Sequence, residues 1–202
     1  FYIASMTTLI SVLGGSMASY ALACFPLKRR KEIATGIILT RMIPQISLAI
    51  PIYLVMRNFK LLDTYTSLIL AHSTFSLPYV TWILIPFFRS IPKEFEEAAL
   101  IDGCSRIQLF WRVFVPLASP GLLVAATFTF LGSWNDFIYT LVLSNVRTTT
   151  APMLVTTFWG MYAPEVGKMC AAGLLIILPV FLVAFIFQKY IIMGLTAGGI
   201  KG

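Results

Sequence analysis

One histidine and eight carboxylates limit the chemistry open to this chain of 202 residues. His72 has no partner at the H-E-x-x-H spacing of a zinc peptidase, and no Ser/His/Asp constellation stands out in the sequence. No G-x-x-x-x-G-K-[ST] loop is present to cradle a nucleotide, so any ATP this protein depends on must bind another chain. Cys24, Cys104 and Cys170 stand far apart without C-x-x-C spacing, and point to neither a disulfide framework nor a metal site. No catalytic residue, metal or cofactor is expected. Two groupings remain. One is the acidic run Glu94, Glu96 and Glu97, closed by Asp102-Gly103. The other is Trp134-Asn135-Asp136, in which a carboxylate follows a long apolar stretch. An ionisable group within a membrane span is costly and faces protein or a water-filled path. Asp136 then lines such a path, with Trp134 offering a ring face to a solute, or it sits hydrated near the interface or bonded to Asn135.

The elements that must carry these groups are membrane helices. Only 11% of residues are charged, 58% are hydrophobic, and the mean hydropathy is +0.88. A soluble domain has about 25% charged residues, so lipid must cover much of the outside. The net charge of +7 could suggest nucleic acid, but the charges are sparse and confined to short connections. Uncharged runs place five spans: Phe1–Leu27, Ile33–Met56 interrupted by Arg41, Thr64–Phe88 around His72, Val113–Leu143 around Asp136, and Met169–Gln188. Each can supply the ~20 residues needed to cross the hydrocarbon core. Gly14, Gly15, Ser16, Ala18 and Ser19 in the first span allow a close helix neighbour. Pro44, Pro51, Pro78, Pro86 and Pro179 read as kinks rather than ends. His72 reads as a packing residue beside Ser73 and Thr74, and Arg41 as a side chain snorkelling to the cytoplasmic side.

Lys and Arg orient the bundle. Ten of them lie in the 28–31 connection, the 89–112 connection and the tail, and only four on the other side. The positive-inside rule makes the ten cytoplasmic. The C-terminus is then inside and Phe1 outside. A chain that begins inside an apolar run on the outer side is read as lacking one earlier span, six in all. The whole, 1–202, reads as one transmembrane domain.

The 91–116 connection is longer than a turn requires, and reads as two short helices with a break. Pro92 suits a first helical turn, the glutamates favour the positive end of the helix dipole, and Gly103 fits a left-handed C-cap. Ser105 and Gln108 have the spacing of a capping box. Ile107, Phe110, Trp111 and Phe114 then form one apolar face, with Arg106 and Arg112 left to water. Such a pair is either a docking knob or an interfacial helix lying on lipid headgroups.

Here the chain resembles a known family. Permease subunits of binding-protein-dependent ABC importers carry E-A-A-x-x-x-G, nine residues, then I-x-L-P in the cytoplasmic loop two spans before the C-terminus. This chain has Glu97-Ala98-Ala99, Gly103, nine residues, then Val113-Phe114-Val115-Pro116. Ser133-Trp134-Asn135-Asp136-Phe137 and the tail Gln188–Gly202 further resemble the smaller permease of maltose-type sugar transporters. The resemblance implies an all-α polytopic fold in a bacterial or archaeal plasma membrane. It implies that Glu97, Ala98, Ala99, Asp102, Gly103 and Pro116 couple to an ABC ATPase subunit. It also implies a second permease, an extracytoplasmic solute-binding protein contacting the 145–168 loop, and a sugar or oligosaccharide cargo. The alternatives are an ABC permease for a non-sugar solute and a transporter driven by an ion gradient, which places carboxylates near broken helices at mid-membrane.

Overall fold

The computed structural model describes residues 1–158 and 165–197, the last eight of these by backbone alone. Three helices are long and apolar enough to cross a membrane: α1 (Tyr2–Cys24), α4 (Tyr65–Arg89) and α11 (Val166–Ala197). Two further spans are broken. α2 (Arg30–Leu39) runs through the 3₁₀ turn Thr40–Met42 and meets α3 (Gln45–Asn58) at 90°. The segment Arg106–Leu117 meets α8 (Ser119–Trp134) at 80°. With each bent pair counted once the spans number five among the described residues, but two of the expected rods are bent.

Proline chemistry explains both bends. Ile43 is extended, as the clash with a following proline ring favours, and Pro44 caps α3 without an N–H of its own. Pro44 is therefore an end, not the kink its apolar setting suggests. Pro120 likewise has no N–H for the carbonyl of Pro116, and Ala118 leaves helical geometry just before it. Pro51, Pro78, Pro86 and Pro179 do lie inside helices.

α1 packs along α4 at the bundle centre, with α8 against both. The seam between α1 and α4 is made of small residues. Thr7, Ser11 and Ser19 are fully buried, and a Cβ on Gly15 would lie 2.6 Å from Val80 Cγ1. Small residues let the helix backbones approach closely, and the Ser19 hydroxyl, 2.7 Å from Thr81 O, crosses the gap. α11 leans on α8 along one side only, where Trp134 Nε1 donates to Ile176 O at 3.2 Å. Its Leu174, Leu178, Phe181 and Phe185 remain exposed, a surface suited to lipid or protein rather than water.

The bundle has two differently built ends. At one, α5 (Lys93–Ile101) and α6 (Arg106–Leu109) fold back on the helix ends, followed by a π-helical stretch Phe110–Phe114 and α7 (Val115–Leu117). At the other, α9 (Ile138–Leu143) packs against α3, and a loop leads to α10 (Ala151–Thr157) beside α11. Trp159, Tyr162 and Pro164 of the 145–168 loop lie outside the described residues, as do the side chains of the tail beyond Lys189.

Candidate functional site

The helix pair in the 91–116 loop is locked by local rules. Pro92 caps α5, and Glu94 and Glu96 occupy its first turn. At its other end Cys104 N bonds Ala99 O at 3.0 Å and Gly103 N bonds Leu100 O at 3.1 Å. That is a Schellman motif, with Gly103 at φ +78° in the left-handed region it requires. Ser105 and Gln108 form the expected capping box before α6. Arg106 pairs with Glu96 across the break, and its guanidinium carbon lies 5.5 Å from the centre of the Phe25 ring.

The apolar face expected for α6 is divided. Phe110 and Phe114 are buried and packed on Tyr20 of α1, with ring centres 5.3 Å and 4.8 Å away, and on Phe88 of α4. Ile107 and Trp111 point outward, 70% and 47% exposed. Four apolar residues at helical spacing cannot reveal which diagonal serves the chain's own core. Ala99 corrects in the same direction: it is buried against that core, so its small size lets α5 sit down on its own protein. Ala98 is exposed, with Glu97, Asp102 and Ile101 on the outer surface. Arg106 is not simply left to water, since it braces the pair.

The second grouping is a cavity of about 280 Å³ between the 3₁₀ turn, α4, α8 and α9. From α4 come His72, Phe75, Ser76 and Tyr79, at i, i+3, i+4 and i+7 on one face. α8 contributes Phe128, Thr129, Gly132 and Ser133, and the α8–α9 break contributes Asp136. His72 Nδ1 lies 2.7 Å from Ser133 Oγ, and Nε2 lies 3.2 Å from Asp136 Oδ1, in ion-pair reach but outside hydrogen-bonding alignment. Asp136 Oδ1 also accepts the N–H of Tyr139 at 3.1 Å, which fixes the first turn of α9. The His72 and Asp136 side chains are 2% and 8% exposed.

A Ser–His–Asp row is thus assembled from residues 61 and 3 positions apart. Ser133 sits inside α8, where backbone amides are committed to the helix, so no oxyanion hole faces its hydroxyl. The row is built for hydrogen bonding, and nothing in it supports acyl transfer.

Several expectations change here. His72 is more than a packing residue, since Ser73 and Thr74 bond their own helix and its partners come from α8 and the α8–α9 break. Asn135 bonds Leu131 O, not Asp136. Trp134 is turned toward α11 and stacks on Phe130, so it lines a different cavity, with Phe1, Tyr65 and Thr150. Arg41 does not run out to the helix end. Its guanidinium carbon lies 4.7 Å from the centre of the Tyr79 ring, at the rim of the His72 cavity and midway along α4.

Against known families, residues 10–196 match the model described as the inner membrane component of binding-protein-dependent transport systems. The chain belongs to that family. It is a transport permease, and membership does not favour the ion-gradient alternative. Among relatives, the sulfoquinovosyl glycerol transport system permease SmoH of Agrobacterium fabrum is 38% identical, over 100% of this chain and 71% of its own length. The trehalose/maltose transport system permease MalG of Thermococcus litoralis is 35% identical, over 99% of this chain and 73% of its own. Among solved structures, the MetNI methionine ABC transporter in inward-facing conformations matches with a TM-score of 0.69 at 18% identity, covering 96% of this chain and 93% of that one. That likeness is one of fold.

The permease also holds a site that sequence reasoning missed. Asp63 lies between α3 and α4 at φ +55°. Its carboxylate accepts the backbone N–H groups of Asn145, Arg147 and Thr148, and the Thr148 hydroxyl at 2.8 Å. The Asn145 N–H above all, with the Thr148 hydroxyl and the other two amides, holds this carboxyl below its usual pKa. The 144–150 loop is thereby pinned 82 to 85 residues away in sequence. Only an Asp shortly before a capping Thr64 hints at it, and that is a common turn signal.

Proposed function

We propose that this permease, as one transmembrane domain over 1–202, carries sugars inward as part of an ATP-driven importer, and that the 91–116 loop couples it to a separate ATPase subunit. The sugar assignment rests on relatives whose names specify sulfoquinovosyl glycerol and trehalose or maltose. A second permease completes the path, and an extracytoplasmic binding protein delivers the cargo to the end bearing α9 and α10. The loop-bearing end and the C-terminus face the cytoplasm, in keeping with the bias of Lys and Arg to that side. Asp136 belongs to the solute path, whereas Trp134 and Asn135 serve the helix end around it.

The observation that carries the coupling role is the preassembled helix pair. The Schellman turn at Gly103 and the buried Ala99 fix its shape, while Glu97, Ala98, Asp102 and Ile101 form its outer surface and Pro116 ends the segment. The ATPase docks on that outer surface.

The test is co-purification of the transporter with its ATPase, followed by sugar uptake and ATP hydrolysis in vesicles. Glu97→Arg should release the ATPase or leave its hydrolysis unlinked to uptake. Gly103→Ala forces a Cβ into the left-handed region at about 1–2 kcal/mol, and should lower the uptake per ATP while the spans stay folded. Normal uptake per ATP in both variants would remove the loop from the coupling role.

A further inference from the structure

Besides the row of His72, Ser133 and Asp136, the cavity wall holds polar atoms with nothing to bond. Thr129 Oγ1 has no hydrogen-bond partner, although Thr129 is only 2% exposed. His72 Nε2 likewise lacks an aligned partner. The great majority of buried polar groups in proteins are hydrogen-bonded, and each exception calls for an explanation. These two share one cavity, on facing helices, beside a carboxylate with acceptor capacity to spare. Thr7 and Ser11 in the α1 seam also lack a partner, but neither lines this cavity, and most helical Ser and Thr hydroxyls here bond back to their own helix, as Thr127 does to Leu123 O and Thr81 to Leu77 O. Thr129 does not.

The rest of the lining limits what could satisfy them. Phe75, Tyr79 and Phe128 add apolar rings, and Arg41 stands at the rim. The volume of about 280 Å³ is at the small end of ligand pockets, which begin near ~300 Å³. No three His, Cys, Asp or Glu side chains gather to hold a metal ion among the described residues. An occupant with an apolar ring face and hydroxyls that both donate and accept matches this set of donors, acceptors and rings.

We infer that this cavity is a subsite for a single sugar ring carried by this chain itself, with Thr129, His72 and Asp136 bonding its hydroxyls. The inference rests on the sugar-import reading above and narrows it to named side chains on one subunit. Thr129 Oγ1 and His72 Nε2 are closed off from solvent in this conformation. A small parting of α4 from α8, of the kind that alternating access requires, presents both to the occupant. Gly132 marks the open part of the cavity, since a Cβ there would meet nothing within 4 Å.

The test uses vesicles holding the whole transporter, offered radiolabelled trehalose, maltose and sulfoquinovosyl glycerol. Capture by the binding protein sets KM, so loss of the subsite should appear in turnover. Thr129→Val keeps the shape and removes one hydroxyl, and should lower turnover about 3- to 10-fold, the worth of one hydrogen bond. KM and ATPase retention should stay unchanged, and the preference among the three sugars should shift. In a second measurement, Gly132→Cys is placed in a background with Cys24, Cys104 and Cys170 replaced by Ala. The transported sugar should protect that thiol from a charged sulfhydryl reagent.

Uptake of none of the three sugars by an assembled, ATP-hydrolysing complex refutes the sugar reading and this inference with it. Uptake with normal turnover in Thr129→Val, or with no protection at position 132, overturns the subsite alone and leaves a water-filled or ion-conducting cavity.

Discussion

Adding one methyl group to Gly15 should cost the bundle a large share of its stability. In Gly15→Ala the new Cβ would lie 2.6 Å from Val80 Cγ1, 2.8 Å from Val80 Cβ and 3.2 Å from the Thr81 nitrogen. Carbon pairs settle near ~3.5–4.0 Å, and Val80 Cβ is fixed to its backbone, so no rotamer change relieves the clash. The helices must part by about 1 Å. Thr7, Ser11 and Ser19 share that seam, and Ser19 then loses its 2.7 Å bond to Thr81 O. Overpacking of this kind costs about 1–3 kcal/mol, and the lost hydrogen bond adds about 1 kcal/mol. Together they amount to roughly 2–4 kcal/mol. At this chain length each kcal/mol moves Tm by about 2–4 °C, so the midpoint should fall by about 4–16 °C. Thermal unfolding in lipid nanodiscs measures it. Gly36→Ala is the matched control, because a Cβ there meets nothing within 4 Å. It should leave Tm unchanged or raise it slightly, since Ala is the better helix former. Equal midpoints for the two variants would refute the close-seam argument.

The other expectations concern the two ends of the bundle. Phe110→Ala removes a ring that is only 3% exposed. It should cost about 3–5 kcal/mol and loosen the helix pair, read as faster proteolysis between residues 101 and 105. Arg106→Ala should matter far less, because the Arg106–Glu96 pair is half exposed on the arginine side and such pairs contribute at most about 1 kcal/mol. A drop in Tm as large as that of Phe110→Ala would show that the ion pair, not the packing, holds the loop. Asp63 has a folded-state pKa below its unfolded value of about 3.9. Its contribution is therefore full above about pH 4 and is lost as pH falls through the folded pKa. Asp63→Asn should lower Tm at pH 5–8, and the two curves should converge on acidification below pH 4. A gap that does not narrow at all as the pH falls from about 5 to about 3 would point away from the carboxylate.

Much of this architecture is legible in the residues. Uncharged runs gave the five spans, and the small residues around Gly15 announced a close neighbour. Pro92, Gly103 and the Ser105/Gln108 pair foretold the loop to the level of individual hydrogen bonds, because caps and turns are local rules. What was not legible depends on distance or on sides. Pro44 and Pro120 break their spans while Pro78 and Pro86 do not, and composition around each is similar. Phe110 and Trp111 are neighbours of like character, yet one faces the core and the other faces out. His72, Ser133 and Asp136 meet only once α4 and α8 are packed, and no periodicity brings them together. Asp63 and Thr148 are joined by tertiary geometry alone.

The aromatic packing beneath the loop has a mechanical consequence. Phe110 and Phe114 are wedged between Tyr20 at the foot of α1 and Phe88 at the foot of α4. The Schellman turn fixes the end of α5, and the buried rings of Phe110 and Phe114 tie the segment after it to the bundle. Under the coupling role proposed above, these rings are the route by which a displacement imposed on Ala98 would reach the two central rods. The rod α4, about 37 Å long at 1.5 Å per residue, bears Phe88 near one end and His72 toward the other. A few degrees of tilt at the foot of such a rod amounts to a displacement of about an ångström or more at the imidazole, where the cavity is lined.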